Sequence, residues 1–165
     1  MTDTLKLTPS ESLTIRQSTP EVLEVEATYG PGGRPPPKHL HPAQDEHFEV
    51  LAGTLTARVG DQEEQTLMAG DTLEIPRGTP HQMWNAANAE ARVRWETRPA
   101  GRTEEWFRAV DAIQPEGGGN PSPLAFAPLL EEFADTFRLA LGPEWLTGPA
   151  VKALGAVGRL RDRRP

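Results

Sequence analysis

All four histidines of the 165-residue chain lie between positions 39 and 81. His39 and His41 stand two apart, a spacing that on a strand turns both imidazoles to one face. Glu46 follows after a short turn, and His81 comes forty residues after His41, beside a strand pattern of its own. Three imidazoles and one carboxylate make a mixed nitrogen and oxygen set suited to a divalent first-row metal. His47 has the opposite parity to Glu46, which turns it to the other side of the strand and out of the set. The chain has no cysteine, so thiolate ligands, disulfides and a cysteine nucleophile are excluded.

Short strands must position these residues. Gly and Pro together number 32, which favours strands joined by tight turns over long helices. Residues 1–11 read as poorly ordered or edge-like. Residues 13–15 and 22–25 are β-rich, and residues 31–37, with two Gly and four Pro, form a turn and a stiff extended approach to His39. Leu55, Ala57 and Val59 alternate with Thr54, Thr56 and Arg58 in a half-buried strand that ends at Gly60-Asp61. Further strands are predicted over residues 48–51, 72–75 and around Val93 and Trp95, with corners at Gly70-Asp71 and Pro76-Arg77-Gly78. The pattern then changes. Residues 103–113 suit a helix with Trp106, Phe107 and Val110 on one side, and Gly117-Gly118-Gly119 marks a linker. Ser122 reads as an N-cap with Pro123 at the first helical position. The stripe Leu129, Leu130, Phe133 and Phe137 extends that helix toward Gly142-Pro143, and a last helical piece carries Val151, Leu154, Val157 and Leu160.

The net charge of −7 argues against a general nucleic-acid binder. It is uneven: Lys152, Arg159, Arg161, Arg163 and Arg164 against Asp162 give the last stretch +4 and leave −11 elsewhere. Residues 1–10 lack the apolar run of a signal peptide, and no stretch reaches the ~18 apolar residues of a spanning helix. The expectation is a soluble, cytoplasmic protein without stable membrane insertion.

Two blocks of residues resemble the cupin family closely. The first is Gly33, His39, His41, Glu46 and Gly53; the second is Gly70, Pro76, Gly78, His81 and Asn85. All ten positions that define the family's two motifs agree in identity and spacing, and 16 residues separate the blocks, as in small bacterial cupins. The resemblance implies an all-β double-stranded β-helix, or jelly roll, over residues 10–98. A segment of residues 1–9 precedes it, and a helical extension of two or three helices follows over residues 99–165. It also implies that His39, His41, Glu46 and His81 hold one divalent transition metal (Fe, Mn, Ni or Zn). His39, His41 and Glu46 are expected on neighbouring strands of one sheet, facing the barrel interior, with His81 on a nearby strand. Gly53, Gly70 and Gly78 suit corners that need positive φ or close backbone approach.

The chemistry implied is that of a mononuclear metal-dependent oxidoreductase, dioxygenase-like, acting on a small organic molecule. A metal-dependent isomerase or lyase is a close variant, and a non-catalytic module that binds or senses a small ligand is the alternative. Outside the ligand set no second acid or base stands out; Glu49 and Arg77 are candidates by proximity in sequence alone. Phe48, Met83 and Trp95 read as core or cavity lining, and Asn85 and Pro76 as structural. Cupins of this size commonly pair through their sheets, so the resemblance implies a homodimer. The extension could cover a barrel edge, close over the cavity, meet a second subunit or rest on an anionic membrane surface.

Overall fold

The computed structural model describes residues 3–140 and residue 142. The alternating pattern of residues 11–29 forms β2 (Glu11–Ser18) and β3 (Leu23–Tyr29), which pair antiparallel. Leu23, Val25, Ala27 and Tyr29 point inward from β3 and are buried, while the residues between them stay partly exposed. That is the period-2 signature of a sheet with one wet face. β1 (Thr4–Thr8) adds an edge strand before β2, so the edge-like reading of the N-terminal residues holds.

After a two-residue β4 (His39–Leu40), the chain builds β5 (Asp45–Ala52), β6 (Thr54–Val59), β7 (Gln65–Met68), β8 (Thr72–Ile75), β9 (His81–Trp84) and β10 (Ala91–Arg98). The extension contributes α1 (Thr103–Ala112), α2 (Pro123–Glu132) and a short β11 (Arg138–Leu139). One sheet runs β1-β2-β3-β10-β5-β8 and the other β11-β4-β9-β6-β7, each antiparallel throughout. Two such sheets packed on a shared core fit the jelly roll implied by the sequence. Phe48, Val50, Val93 and Trp95 from the first sheet meet Leu55, Ala57 and Met83 from the second in that core. Gly53, Gly70 and Gly78 all have positive φ, as expected. At Gly53 the constraint is double: φ is +74°, and a Cβ there would run into the Glu90 carbonyl oxygen and sit 2.9 Å from Ala91 Cα.

α1 buries Trp106, Phe107 and Val110, the three residues its apolar side foretold. It docks on β1, where the Lys6 N–H donates to Asp111 Oδ1 at 2.7 Å and Gln114 Nε2 donates to the Leu7 carbonyl at 3.0 Å. α2 begins as predicted, with Ser122 Oγ accepting the Ala125 N–H at 3.2 Å and Pro123 in the first turn. Its end differs. The apolar stripe predicts helix through Phe137, but α2 stops at Glu132. The N–H groups of Thr136 and Phe137 both turn back to the Phe133 carbonyl at 2.8 Å, and β11 then pairs with β4. Strand pairing with the second sheet overrides the helical period here. Two helices lie among the described residues; the helical piece expected over residues 151–160, with its basic end, lies outside them. No described helix is long and apolar enough to cross a membrane.

Candidate metal centre

His39 and His81 face each other directly across the β4–β9 pair. β4 ends at Leu40, so His41 lies one residue beyond the strand and strict alternation does not position it. Its ring nevertheless lies near the other two, with centroids 5.5 Å from His39 and 5.7 Å from His81. The three imidazoles bring ligand nitrogens within 4.8 Å of one another. Glu46 reaches them from the other side of the sandwich. Its Oε1 is 3.4 Å from His41 Nε2, and its Oε2 is 3.3 Å from His81 Nε2. The expectation that Glu46 shares a sheet with His39 and His41 is therefore corrected: Glu46 is in β5 of the six-stranded sheet, and the histidines belong to the five-stranded one. The bend after His41 carries the chain from one layer to the other, so the two sheets close on the site like facing walls.

Backbone carbonyls orient all three rings. His39 Nδ1 contacts the Pro37 carbonyl at 3.2 Å, His81 Nδ1 that of Thr79 at 3.0 Å, and His41 Nδ1 that of Thr136 at 2.8 Å. A carbonyl can only accept, so each Nδ1 carries the proton and each neutral ring keeps its lone pair on Nε2. Metal-ligating histidines are held in the same way, with the far ring nitrogen donating to a fixed acceptor. Burial holds all three rings in the neutral form, lowering His39 well below the ordinary histidine range, His41 to about 3, and His81 as well.

Glu46 is 1% exposed, and its Oε1 accepts the Trp95 indole N–H at 3.1 Å. Burial pushes its carboxyl up to about 8, with that hydrogen bond acting in the opposite sense. His41 Nε2 is buried without a hydrogen-bond partner among the described residues. Acceptor atoms thus face each other at 3.3–3.4 Å in a buried site, an arrangement that costs free energy unless a cation or proton lies between them. The donor set fits a divalent transition metal.

A cavity of about 170 Å³ adjoins the rings. Phe48, Met83 and Trp95 line it and also belong to the core, so both readings of them apply. The extension closes over it: Phe137 stacks on His39 at 4.8 Å and on Trp106 at 4.5 Å. Sequence reasoning missed both the Thr136 carbonyl and the Phe137 ring, whose only trace was the apolar stripe. His47 points away and pairs with Glu74, as its parity required. Glu49 pairs with Arg94, and Arg77 with Asp45 at 2.6 Å; neither lines the cavity. Asn85 is structural: Nδ2 donates to the Tyr29 and Ala89 carbonyls, and its own carbonyl accepts the Gly33 N–H at 2.7 Å.

Fold and site together define a β-sandwich that gathers three inward histidines and an acid between its sheets. Residues 25–95 match the family model described as Cupin domain, and this part of the chain is a cupin domain. An oxidoreductase of Arthrobotrys oligospora is 36% identical over 52 residues, covering 32% of this chain and 21% of that protein. The oxidoreductase iacF of Pestalotiopsis fici is 50% identical over 50 residues, 30% of this chain and 24% of its own. The uncharacterized protein YdbB of Bacillus subtilis is 49% identical over 43 residues, 26% of this chain and 38% of its own. The chain thus spans well under half the length of these curated relatives. Among solved structures, an RmlC-like cupin from Shewanella frigidimarina superposes with a TM-score of 0.55 at 17% identity, over 63% of this chain and 89% of that one. KdgF from Halomonas superposes at 0.52 with 20% identity, over 58% and 87%. These similarities show the shared fold.

Proposed function

We propose that His39, His41, His81 and Glu46 hold one divalent transition-metal ion, and that the chain is a metal-dependent oxidoreductase, dioxygenase-like, acting on a small organic molecule. The observation that carries the metal is the set of fixed tautomers: three Nδ1 protons tied to carbonyls, with the unpartnered His41 Nε2 facing a buried carboxylate. The redox reading draws on the two relatives named oxidoreductases. A bound ion would supply Lewis-acid and dioxygen-activating chemistry at its open positions. The chain's own residues do the rest. Carbonyls of Pro37, Thr79 and Thr136 aim the rings, the Trp95 N–H steadies one oxygen of Glu46, and Phe137, backed by Trp106, packs on the His39 ring. Residues 10–98 then form the barrel, and the described part of the extension after residue 98 covers it.

Elemental analysis after loading with Fe(II), Mn(II), Ni(II) or Zn(II) tests the centre. Wild type should retain about one ion per chain, whereas His41→Ala and Glu46→Gln should lose it and keep their circular dichroism. A wild-type protein that holds none of the four refutes the centre. Dioxygen uptake by the loaded protein across a panel of small organic molecules tests the redox assignment. Ligands that raise Tm without any turnover would instead favour the binding module.

A further inference from the structure

We propose that Glu11 and Tyr29 form a second polar pole of the cavity, which binds the hydroxyl group of a small aromatic substrate whose other end faces the histidines. The identity of that other end rests on the metal reading above. Glu11 and Tyr29 are register partners across the β2–β3 pair. Glu11 shares its parity with Leu13 and Ile15, and Tyr29 with Leu23, Val25 and Ala27, so both occupy core-facing positions of their strands. Tyr29 is buried and Glu11 partly so, and a carboxylate on the core-facing side of a strand weakens the fold unless it is paired. Among the described residues no cation pairs with Glu11. Its polar neighbour is the Tyr29 hydroxyl, and burial raises the Glu11 carboxyl to about 7, with a hydrogen bond from Tyr29 acting in the opposite sense.

The position explains the anomaly. Glu11 and Tyr29 line the same cavity as His39, His41 and His81. They also border an outer hollow of about 490 Å³, walled by the Gly- and Pro-rich residues 30–37. The pair therefore stands where the inner cavity meets the outer one. Glu11 is the one carboxylate among the described residues that line the inner cavity. Much of the remaining wall is aromatic, with Phe48, Trp95, Trp106 and Phe137 among its members. Flat walls of this kind favour a planar, apolar body. The volume, about 170 Å³, corresponds to about ten water-sized sites and thus to a molecule of about one ring.

The chemistry at the pole selects a hydroxyl. A carboxyl that exchanges its proton near neutrality, beside a phenol, can both accept and donate. A hydroxyl does both as well, whereas an ammonium only donates and a carboxylate only accepts.

The test titrates phenol and anisole, which share a ring but differ in the donor, onto the full chain. Both metal-free and metal-loaded protein are used, and the Met83 methyl signal is followed by NMR. Wild type should prefer phenol by about tenfold or more, the discrimination expected of a hydrogen bond to a charged or near-charged group. Glu11→Leu and Tyr29→Phe should abolish the preference while metal stoichiometry stays at the wild-type value. The proposal is overturned if Glu11→Leu, folded by circular dichroism, keeps the phenol preference, or if wild type shows none. Glu11→Leu removes a partly buried acid from a core-facing position and should not lower Tm, so it serves even if Tyr29→Phe fails to fold. A preference that persists in a chain unable to hold metal upholds the pole and discards only the metal reading.

Discussion

Stripping the ion should give this protein a stability profile that depends on pH through Glu46. In the folded metal-free chain the Glu46 carboxyl sits near 8, against 4.5 for the same group when exposed. Its folded value is raised, so the stability it contributes is fully present below 4.5 and is lost as pH climbs through 8. The slope in that window is about 1.4 kcal/mol per pH unit, so from about pH 5 to about pH 7 the loss amounts to about 3 kcal/mol. Four other groups act in the same range. His39, His41 and His81 are all depressed below 6.5, His41 to about 3, and contribute stability lost as pH falls below 6.5, while Glu11, raised to about 7, acts in the same sense as Glu46. The measurement is therefore a difference. Urea unfolding of metal-free wild type and Glu46→Gln is compared at each pH, which removes the contribution that the three histidines and Glu11 make to both. The variant should gain about 3 kcal/mol on wild type between those two pH values. A difference that stays flat would mean that Glu46 is ionised without a cation, and the reasoning about its buried, acceptor-lined surroundings would fail.

Three further outcomes follow from the same geometry. Because the histidines are already neutral and Glu46 is protonated near neutrality, metal uptake at pH 7 should release about one proton per ion. Calorimetry in buffers of different ionisation enthalpy reads this directly, and a release near zero contradicts it. Phe137→Ala removes the ring stacked on His39, so loss of metal to a chelator should quicken about tenfold; an unchanged rate argues that the ring is mere packing. Gly53→Ala imposes a side chain on a positive-φ corner pressed against Glu90 and Ala91. Urea unfolding should register a loss of at least about 2 kcal/mol.

The barrel was legible because its signals are local. Alternation in β3 and β10, glycines at the corners and histidines at fixed offsets all follow from short-range geometry. The helix with Trp106, Phe107 and Val110 was legible for the same reason. Parity arguments failed where a strand stopped early. β4 ends at Leu40, and the bend after His41 carries Glu46 into the opposite sheet, which no alternation within one strand can report. The Thr136 carbonyl left no trace at all, since every residue has one and its partner lies 95 positions away. Glu11 did leave a trace, as an acid in step with Leu13 and Ile15. Reading the first eleven residues as an edge concealed it.

The carbonyl that aims His41 belongs to the extension, beyond α2 and just before β11. Docking of that segment and capture of an ion by the rings would therefore be reciprocal: whatever factor the docked strap adds to the ion's affinity, the ion returns to the strap. A chain still emerging from the ribosome would hold its histidines long before their last support is synthesised. Metallation would then come late, as the step that fastens the segment around Thr136 to the barrel.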